Sequence, residues 1–108
     1  MRIKNKKTYY LKKKTIIEDN EGGKYQEYSE SIEIQANIYP ASGKLQAEIY
    51  GERLNYILNM LYDGQESINE GDGICVYVSK DNEPDYKIIS IKRYSHLFIE
   101  LEKIWVVL

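Results

Sequence analysis

Alternation of apolar and polar residues is the feature that most constrains how this chain folds. From Ser31 onward, every second residue is apolar: Ile32, Ile34, Ala36 and Ile38. The residues between them are polar: Glu33, Gln35 and Asn37. Because successive side chains of a strand point to opposite faces, this run predicts a strand with one face in a core and one in water.

The same alternation recurs along the chain. In a first strand it places Tyr9, Leu11, Thr15 and Ile17 on one face. In a later strand it does the same for Ile74, Val76 and Val78. The runs YKIISIK and LFIELEKI predict a hairpin across RYSH. In its second arm the inward residues are Leu97, Ile99 and Leu101, and the outward residues are Phe98, Glu100 and Glu102. Gly22-Gly23 predicts a tight turn between the first two strands.

One short helix is predicted at residues 43 to 51. Ser42 is a candidate N-cap, and Gly51 is a candidate stop signal. Residues 54–62 fit a helical stripe and a strand face almost equally well. The chain of 108 residues is therefore predicted to be a single mainly β domain. Its expected form is a small antiparallel β-barrel or sandwich of five to six strands with one short α-helix.

Charge is unevenly distributed along the chain. Seven of the 15 Lys and Arg residues lie within the first 14 residues, so the remainder carries eight basic residues against all 17 Asp and Glu. The sequence predicts a flexible basic arm at residues 1–7 and a contact with DNA or an acidic partner. The candidate contact residues are Lys4, Lys6, Lys7, Lys12, Lys13 and Lys14.

The single cysteine and the hydropathy of the chain indicate in which cellular compartment the protein is expected. Cys75 is the only cysteine, which excludes an internal disulfide framework. No apolar run approaches the roughly 20 residues of a membrane helix, and the first residues lack the apolar segment of a signal peptide. We therefore expect a soluble protein made in a reducing cytoplasm, with no membrane partner.

The segment INEGDGICVYV raises the question of catalysis. Gly71-Asp72-Gly73 lacks the spacing of a phosphate loop, and the surrounding residues lack the oxygen ligands of a calcium loop. We interpret it as a turn that precedes a core strand. The single His96 is interpreted as structural, and Cys75 as a small, partly buried core residue. The sequence thus predicts no catalytic, metal or cofactor residue, and no enzyme.

A family resemblance adds to these patterns. A turn and strand-start motif is formed by Ile68, Gly71, Asp72 and Ile74. A Y.I..I strand follows at Tyr86, Ile88 and Ile91, and an H..IELE strand is formed by His96, Ile99, Glu100, Leu101 and Glu102. Over residues 36 to 104 the chain resembles the small head–tail joining proteins of long-tailed bacteriophages and prophages, in particular the head-closure or stopper group.

The resemblance implies a small β-barrel with one helix, and on that ground we favour strand for residues 54–62. It also implies a virion neck protein, assembled in the bacterial host cytoplasm as a six- or twelve-fold homo-oligomeric ring. Its partners would be portal or adaptor and tail proteins, with contact to packaged DNA as a further expectation. Two alternatives remain open: a tail terminator ring, and a small OB-like barrel that binds nucleic acid.

The apolar segment IWVVL at residues 104–108 lies outside the family pattern. Ile104, Val106 and Leu108 would extend the last strand, or Trp105 and its neighbours would dock on an adjacent subunit. We favour docking, because tryptophan is enriched at interface hot spots. The candidate subunit interface consists of Tyr50, Arg53, Ile104, Trp105 and Val107.

Overall fold

The described residues form eight strands and two short helical segments. The computed structural model describes residues 3–18 and 20–105, with the backbone alone for residues 25 and 26. The strands are β1 (Lys7–Lys12), β2 (Lys14–Glu18), β3 (Lys24–Tyr28), β4 (Ile32–Pro40), β5 (Ile57–Tyr62), β6 (Gly73–Cys75), β7 (Tyr86–Arg93) and β8 (Leu97–Lys103). The helical segments are α1 (Lys44–Tyr50) and a 3-10 helix (Gly51–Tyr56).

Six of these strands close into an antiparallel barrel. Their order around the barrel is β1-β4-β5-β8-β7-β6, and β6 returns to pair with β1. The interior holds side chains from all six strands, including Leu11, Ile34, Ala36, Met60, Ile74, Ile88, Ile99 and Leu101. The predicted mainly β barrel is confirmed, and so are the inward faces of β4 and β8.

The predicted first strand is interrupted at Lys13. β1 belongs to the barrel, whereas β2 pairs only with β3 in a separate two-stranded sheet. Backbone bonds close the base of this hairpin, since the Ser29 N–H donates to the Lys13 carbonyl at 2.8 Å. Gly22 takes a φ of 83° in the turn, as predicted. Thr15 and Ile17 therefore do not share the barrel interior with Leu11.

The helical region begins one residue later than its candidate cap. Gly43, with a φ of 101°, is the N-cap, whereas the Ser42 N–H donates to Gln46 Oε1 at 3.2 Å. Gly51 ends the helix at a φ of 57°, as predicted. The ambiguous segment divides: residues 54–56 belong to the 3-10 helix, and β5 begins at Ile57. Within the described ranges, neither helical segment is long and apolar enough to cross a bilayer.

A β-bulge explains the spacing of the Y.I..I pattern. The register of β7 against β8 shifts between Ile88 and Ser90. The extra residue changes the alternation, so that Tyr86, Ile88 and Ile91 all pack toward the core. The uneven spacing in the sequence is thus the signature of a bulged strand.

The amino-terminal segment differs from the expected flexible arm. Ile3 is only 6% exposed, and Lys7 is the first residue of β1. Lys6 forms an ion pair with Asp63, with 2.8 Å between Nζ and Oδ1. A buried apolar residue anchors the segment, so residues 3–7 are part of the packed domain. Residues 1 and 2 lie outside the described part of the chain.

Candidate interaction surface

The Gly71-Asp72-Gly73 turn is organised around one buried carboxylate. Asp72 is 2% exposed. Its Oδ2 accepts hydrogen bonds from Lys13 Nζ at 2.5 Å and the Asn69 N–H at 2.9 Å, and its Oδ1 accepts from the Lys14 N–H at 3.0 Å. Every one of these donors belongs to the chain itself. Asp72 therefore joins the β1–β2 junction to the turn before β6.

The two glycines of this turn are required for different reasons. Gly71 has a φ of 92°, a conformation that side chains with a Cβ rarely adopt. A Cβ at Gly73 would lie 2.4 Å from Pro84 Cγ, so no side chain fits at this position and glycine is required. This turn is structural, and each residue of the predicted motif has a packing role: Ile68 and Ile74 are buried in the core.

The six candidate contact lysines divide into two groups. Lys6 and Lys13 are held by carboxylates, and the Lys12 ammonium donates to the Asn82 carbonyl at 2.5 Å. The other three, Lys4, Lys7 and Lys14, are exposed. Among the described residues their ammonium groups form no ion pair. Only half of the predicted basic surface thus remains available to a partner.

The outer wall of β5 and β8 carries buried polar residues beneath the helix. Asn59 and Glu100 face each other across the two strands and are 4% and 3% exposed. Gln46 of α1 reaches both side chains: its Nε2 lies 2.7 Å from Asn59 Oδ1 and 2.9 Å from Glu100 Oε2. Glu100, expected to face water, is therefore outward but covered. The residue that covers it, Gln46, carries no recognisable sequence signal.

Tyr50 and Arg53 extend this polar contact toward the end of the barrel. Burial, together with the nearby Glu100 carboxylate, raises the pKa of Tyr50 to about 12. Arg53 donates two hydrogen bonds to Glu102, at 2.8 and 2.9 Å. These bonds lower the pKa of the Glu102 carboxyl. The Arg53 guanidinium also lies over the Tyr50 ring, 5.5 Å from its centroid.

An aromatic pair lies beside these residues. The Trp105 ring meets Tyr56 edge to face, with centroids 4.7 Å apart, and Lys103 Nζ lies 4.7 Å from the Trp105 centroid. Trp105 nevertheless stays 57% exposed. Ile104 is half-buried, and its N–H donates to the Asp85 carbonyl at 2.9 Å. Val107, together with residues 106 and 108, lies outside the described residues.

These neighbours define an aromatic surface, formed by Tyr50, Arg53, Tyr56 and Trp105. Residues three apart in a 3-10 helix are eclipsed, so Arg53 and Tyr56 lie on the same side. Tyrosine, tryptophan and arginine are the residue types most enriched at binding hot spots. The structure thus brings the predicted interface residues Tyr50, Arg53 and Trp105 to one region, and adds Tyr56.

The helix also has apolar side chains that face away from the barrel. Leu45 and Ile49, one turn apart, are 67% and 57% exposed, and no residue of α1 is buried. A surface helix of a monomeric domain usually packs its apolar side on the core. Here Gln46 and Tyr50 make the contact with the barrel, so the amphipathic pattern is inverted.

His96 and Cys75, interpreted from the sequence as structural residues, have these surroundings among the described residues. His96 Nδ1 lies 3.4 Å from Ser95 Oγ, a long contact between adjacent residues at the rim of an open cleft of about 250 Å³. Burial raises the pKa of the Cys75 thiol, which lies 3.8 Å from the Asn82 carbonyl. In the described ranges, no three His, Cys, Asp or Glu residues are grouped to hold a metal ion.

Comparison with protein-family models, curated proteins and solved structures finds no match for this chain.

Proposed function

We propose that this protein is a structural component of the neck of a phage or phage-like particle, forming a ring between the portal or adaptor and the tail. In this position the ring would help to close the DNA channel. The proposal combines the head-closure motifs with a small closed barrel and one helix, the architecture that the resemblance implies. It describes an assembly protein with no catalytic role.

The observation that carries the proposal is the inverted helix beside the aromatic surface. Leu45, Ile49 and Trp105 are each more than half exposed. Large apolar side chains grouped on one side of a small domain are typical of an interaction site. Tyr50 and Arg53, selected from the sequence as interface residues, lie in the same region. A ring protein needs such self-association surfaces on every copy.

The function is tested by removing the gene from the element that encodes it and imaging the induced particles by electron microscopy. A head-closure protein leaves separate heads that have lost DNA, together with complete tails of normal length. Complementation with the intact chain should restore joined particles. A tail terminator instead leaves tails of irregular length on deletion, and normal joined particles without the gene would contradict both ring functions.

A binding experiment separates the nucleic-acid alternative. A barrel that binds single-stranded DNA holds it with affinity that falls steeply as salt rises. Because Lys6, Lys12 and Lys13 are engaged within the chain, we expect only weak binding to a labelled oligonucleotide at physiological salt. Tight binding that is lost on replacing Lys4, Lys7 and Lys14 by glutamine would favour the OB-like alternative.

A further inference from the structure

The connection between β4 and β5 leaves the barrel wall and returns to the same place. The Ala41 N–H donates to the Ile57 carbonyl at 3.1 Å. This bond lies next to the last pair of the β4–β5 ladder, Pro40 with Leu58. Residues 42–56 therefore form a loop whose two ends are tied together at its base. A surface loop of this kind can move without disturbing the strands that it connects, and such loops are frequently functional.

α1, within this loop, has little apolar contact with the barrel. None of its residues is buried. Its backbone runs close to that of the 3-10 helix, and no described strand has a comparable contact with it. A segment with few buried apolar contacts belongs to the least stable part of a folded domain. Its seven residues are also too few for a helix to persist in water without tertiary contacts.

Polar bonds of one side chain hold α1 against the barrel wall. The Gln46 amide pairs with that of Asn59, because its Nε2 donates to Asn59 Oδ1 and its Oε1 accepts from Asn59 Nδ2 at 3.2 Å. The same Nε2 reaches Glu100. Water can replace each of these bonds when the helix moves away, so their net contribution to the free energy of the closed arrangement is small. The attachment of α1 is thus specific in geometry but weak.

Glycines lie at both ends of α1. Gly43 and Gly51 have φ values of 101° and 57°, and beyond the adjacent chain no atom lies within 4 Å of a Cβ placed at either position. Such residues readily absorb a change in backbone direction. The 3-10 helix that follows has its own attachment, because Leu54 is half-buried and Arg53 is paired with Glu102. Gly51 therefore separates a weakly held helix from a better-held one.

We infer that α1 is a hinged helix that opens locally from the barrel wall, and that Gln46 is the latch that holds it closed. In the closed state Tyr50 lies beside Arg53 and completes the aromatic surface. In the open state Tyr50 leaves that surface, and Asn59 and Glu100 meet water. The barrel and the 3-10 helix stay folded in both states. The hinged helix thus determines how often the aromatic surface is complete, and this inference does not depend on the proposed neck function.

Hydrogen exchange of the purified chain, followed by NMR, tests the local opening. The reporting amides are those of Ala47 and Gly51, which donate to the carbonyls of Gly43 and Ala47. We expect both to exchange at least about a hundredfold faster than the amides of β5 and β8, at rates that low urea leaves unchanged. If urea accelerated their exchange as steeply as that of the barrel, α1 would open only with the whole domain, and the inference would be overturned.

Matched alanine variants test the latch. Gln46→Ala removes the side chain that reaches the barrel, whereas Glu48→Ala changes an exposed residue of the same helix. Alanine has the highest helix propensity, so neither substitution weakens the helix itself. Gln46→Ala should accelerate exchange of the two reporting amides at least about tenfold, and Glu48→Ala should change it less than about twofold.

The variants also distinguish local opening from a general loss of stability. Equal acceleration in both variants, or none in either, would show that Gln46 is not the latch. If Gln46→Ala accelerated the β5 and β8 amides by the same factor as those of α1, the opening would not be local. The urea experiment uses the intact chain, so it tests the hinged helix even where Gln46→Ala does not fold.

Discussion

The barrel interior and the layer beneath the helix are both buried, but they are built from opposite kinds of residue. The interior is lined by apolar side chains such as Ile34, Met60 and Ile99. The layer beneath the helix contains Asn59 and Glu100, joined to α1 by Gln46. The interior gains free energy from removing apolar surface from water, whereas the polar layer depends on the geometry of a few hydrogen bonds.

This difference indicates what the helix is for. A helix needed mainly to protect the barrel would turn Leu45 and Ile49 toward it. Instead the polar contacts hold α1 in one orientation and leave its apolar residues exposed. Because hydrogen bonds are directional, such a layer positions the helix without burying the residues that a partner would use. The barrel provides stability, and its outer layer provides orientation.

The largest effect is expected where a charge is buried. Replacing Asp72 by Asn removes the buried carboxylate that Lys13, 26% exposed, and two backbone N–H groups share, and losing one partner of such a pair costs up to about 3 to 5 kcal/mol. Denaturant unfolding measures the loss. The matched control is Asp63→Asn, whose pair with Lys6 lies at the surface and contributes about 0 to 1 kcal/mol. Similar losses of unfolding free energy in both variants would mean that the Asp72 pair stabilises the fold no more than a surface pair does.

The apolar interior is tested with a matched pair of isoleucines. Ile34→Ala should lower the free energy of unfolding by about 2 to 5 kcal/mol, since a buried side chain is lost and a cavity remains. Ile49→Ala should change it by less than about 0.5 kcal/mol, because that residue is exposed on a helix. If Ile34→Ala lowered the free energy of unfolding by less than about 0.5 kcal/mol, the register of β4 would be contradicted.

The polar layer is tested through Tyr50 at high pH. A folded-state pKa of about 12, above the ordinary tyrosine value of 10.0, means that the folded state holds the Tyr50 proton more tightly than the unfolded state does. The contribution of protonated Tyr50 to the free energy of unfolding is complete below pH 10 and is lost as the pH rises toward 12. Tyr50→Phe should therefore unfold with a shallower loss of stability across that range.

Tyr94, which is exposed, provides the control for that experiment. Tyr94→Phe should retain the pH dependence of the intact chain. Tyr9, Tyr86 and Cys75 also have raised pKa values from burial, so a slope remains in every variant. An unchanged slope in Tyr50→Phe would show that Tyr50 is not held against Glu100.

The smallest effect concerns Cys75. It is 2% exposed and its pKa is raised by burial, so it should not react with a thiol reagent in the native state. Reaction should follow unfolding in denaturant and give one thiol per chain. Cys75→Ser should abolish the signal. Rapid labelling of the folded protein would show that the 76–85 loop opens readily.

Local patterns of the sequence were sufficient for the barrel faces. Alternation assigned Ile34 and Ala36 to the interior, and the glycines marked the hairpin turn and the end of the helix. Gly71-Asp72-Gly73 was predicted as the turn that precedes β6, where the structure has it. These properties follow from backbone geometry and from burial of one side of a strand, so they are encoded within a few residues.

Tertiary structure decided which polar residues meet. Lys13 and Asp72 are 59 residues apart, and Gln46 and Glu100 are 54 apart. No local period predicts such pairs, because they form only after the barrel closes and the chain crosses its outer wall. For the same reason, the sequence predicted that Glu100 faces water, and it did not predict that Leu45 and Ile49 are exposed. The sequence determined which residues are apolar and where strands alternate, whereas closure of the barrel decided which surfaces are left for a partner.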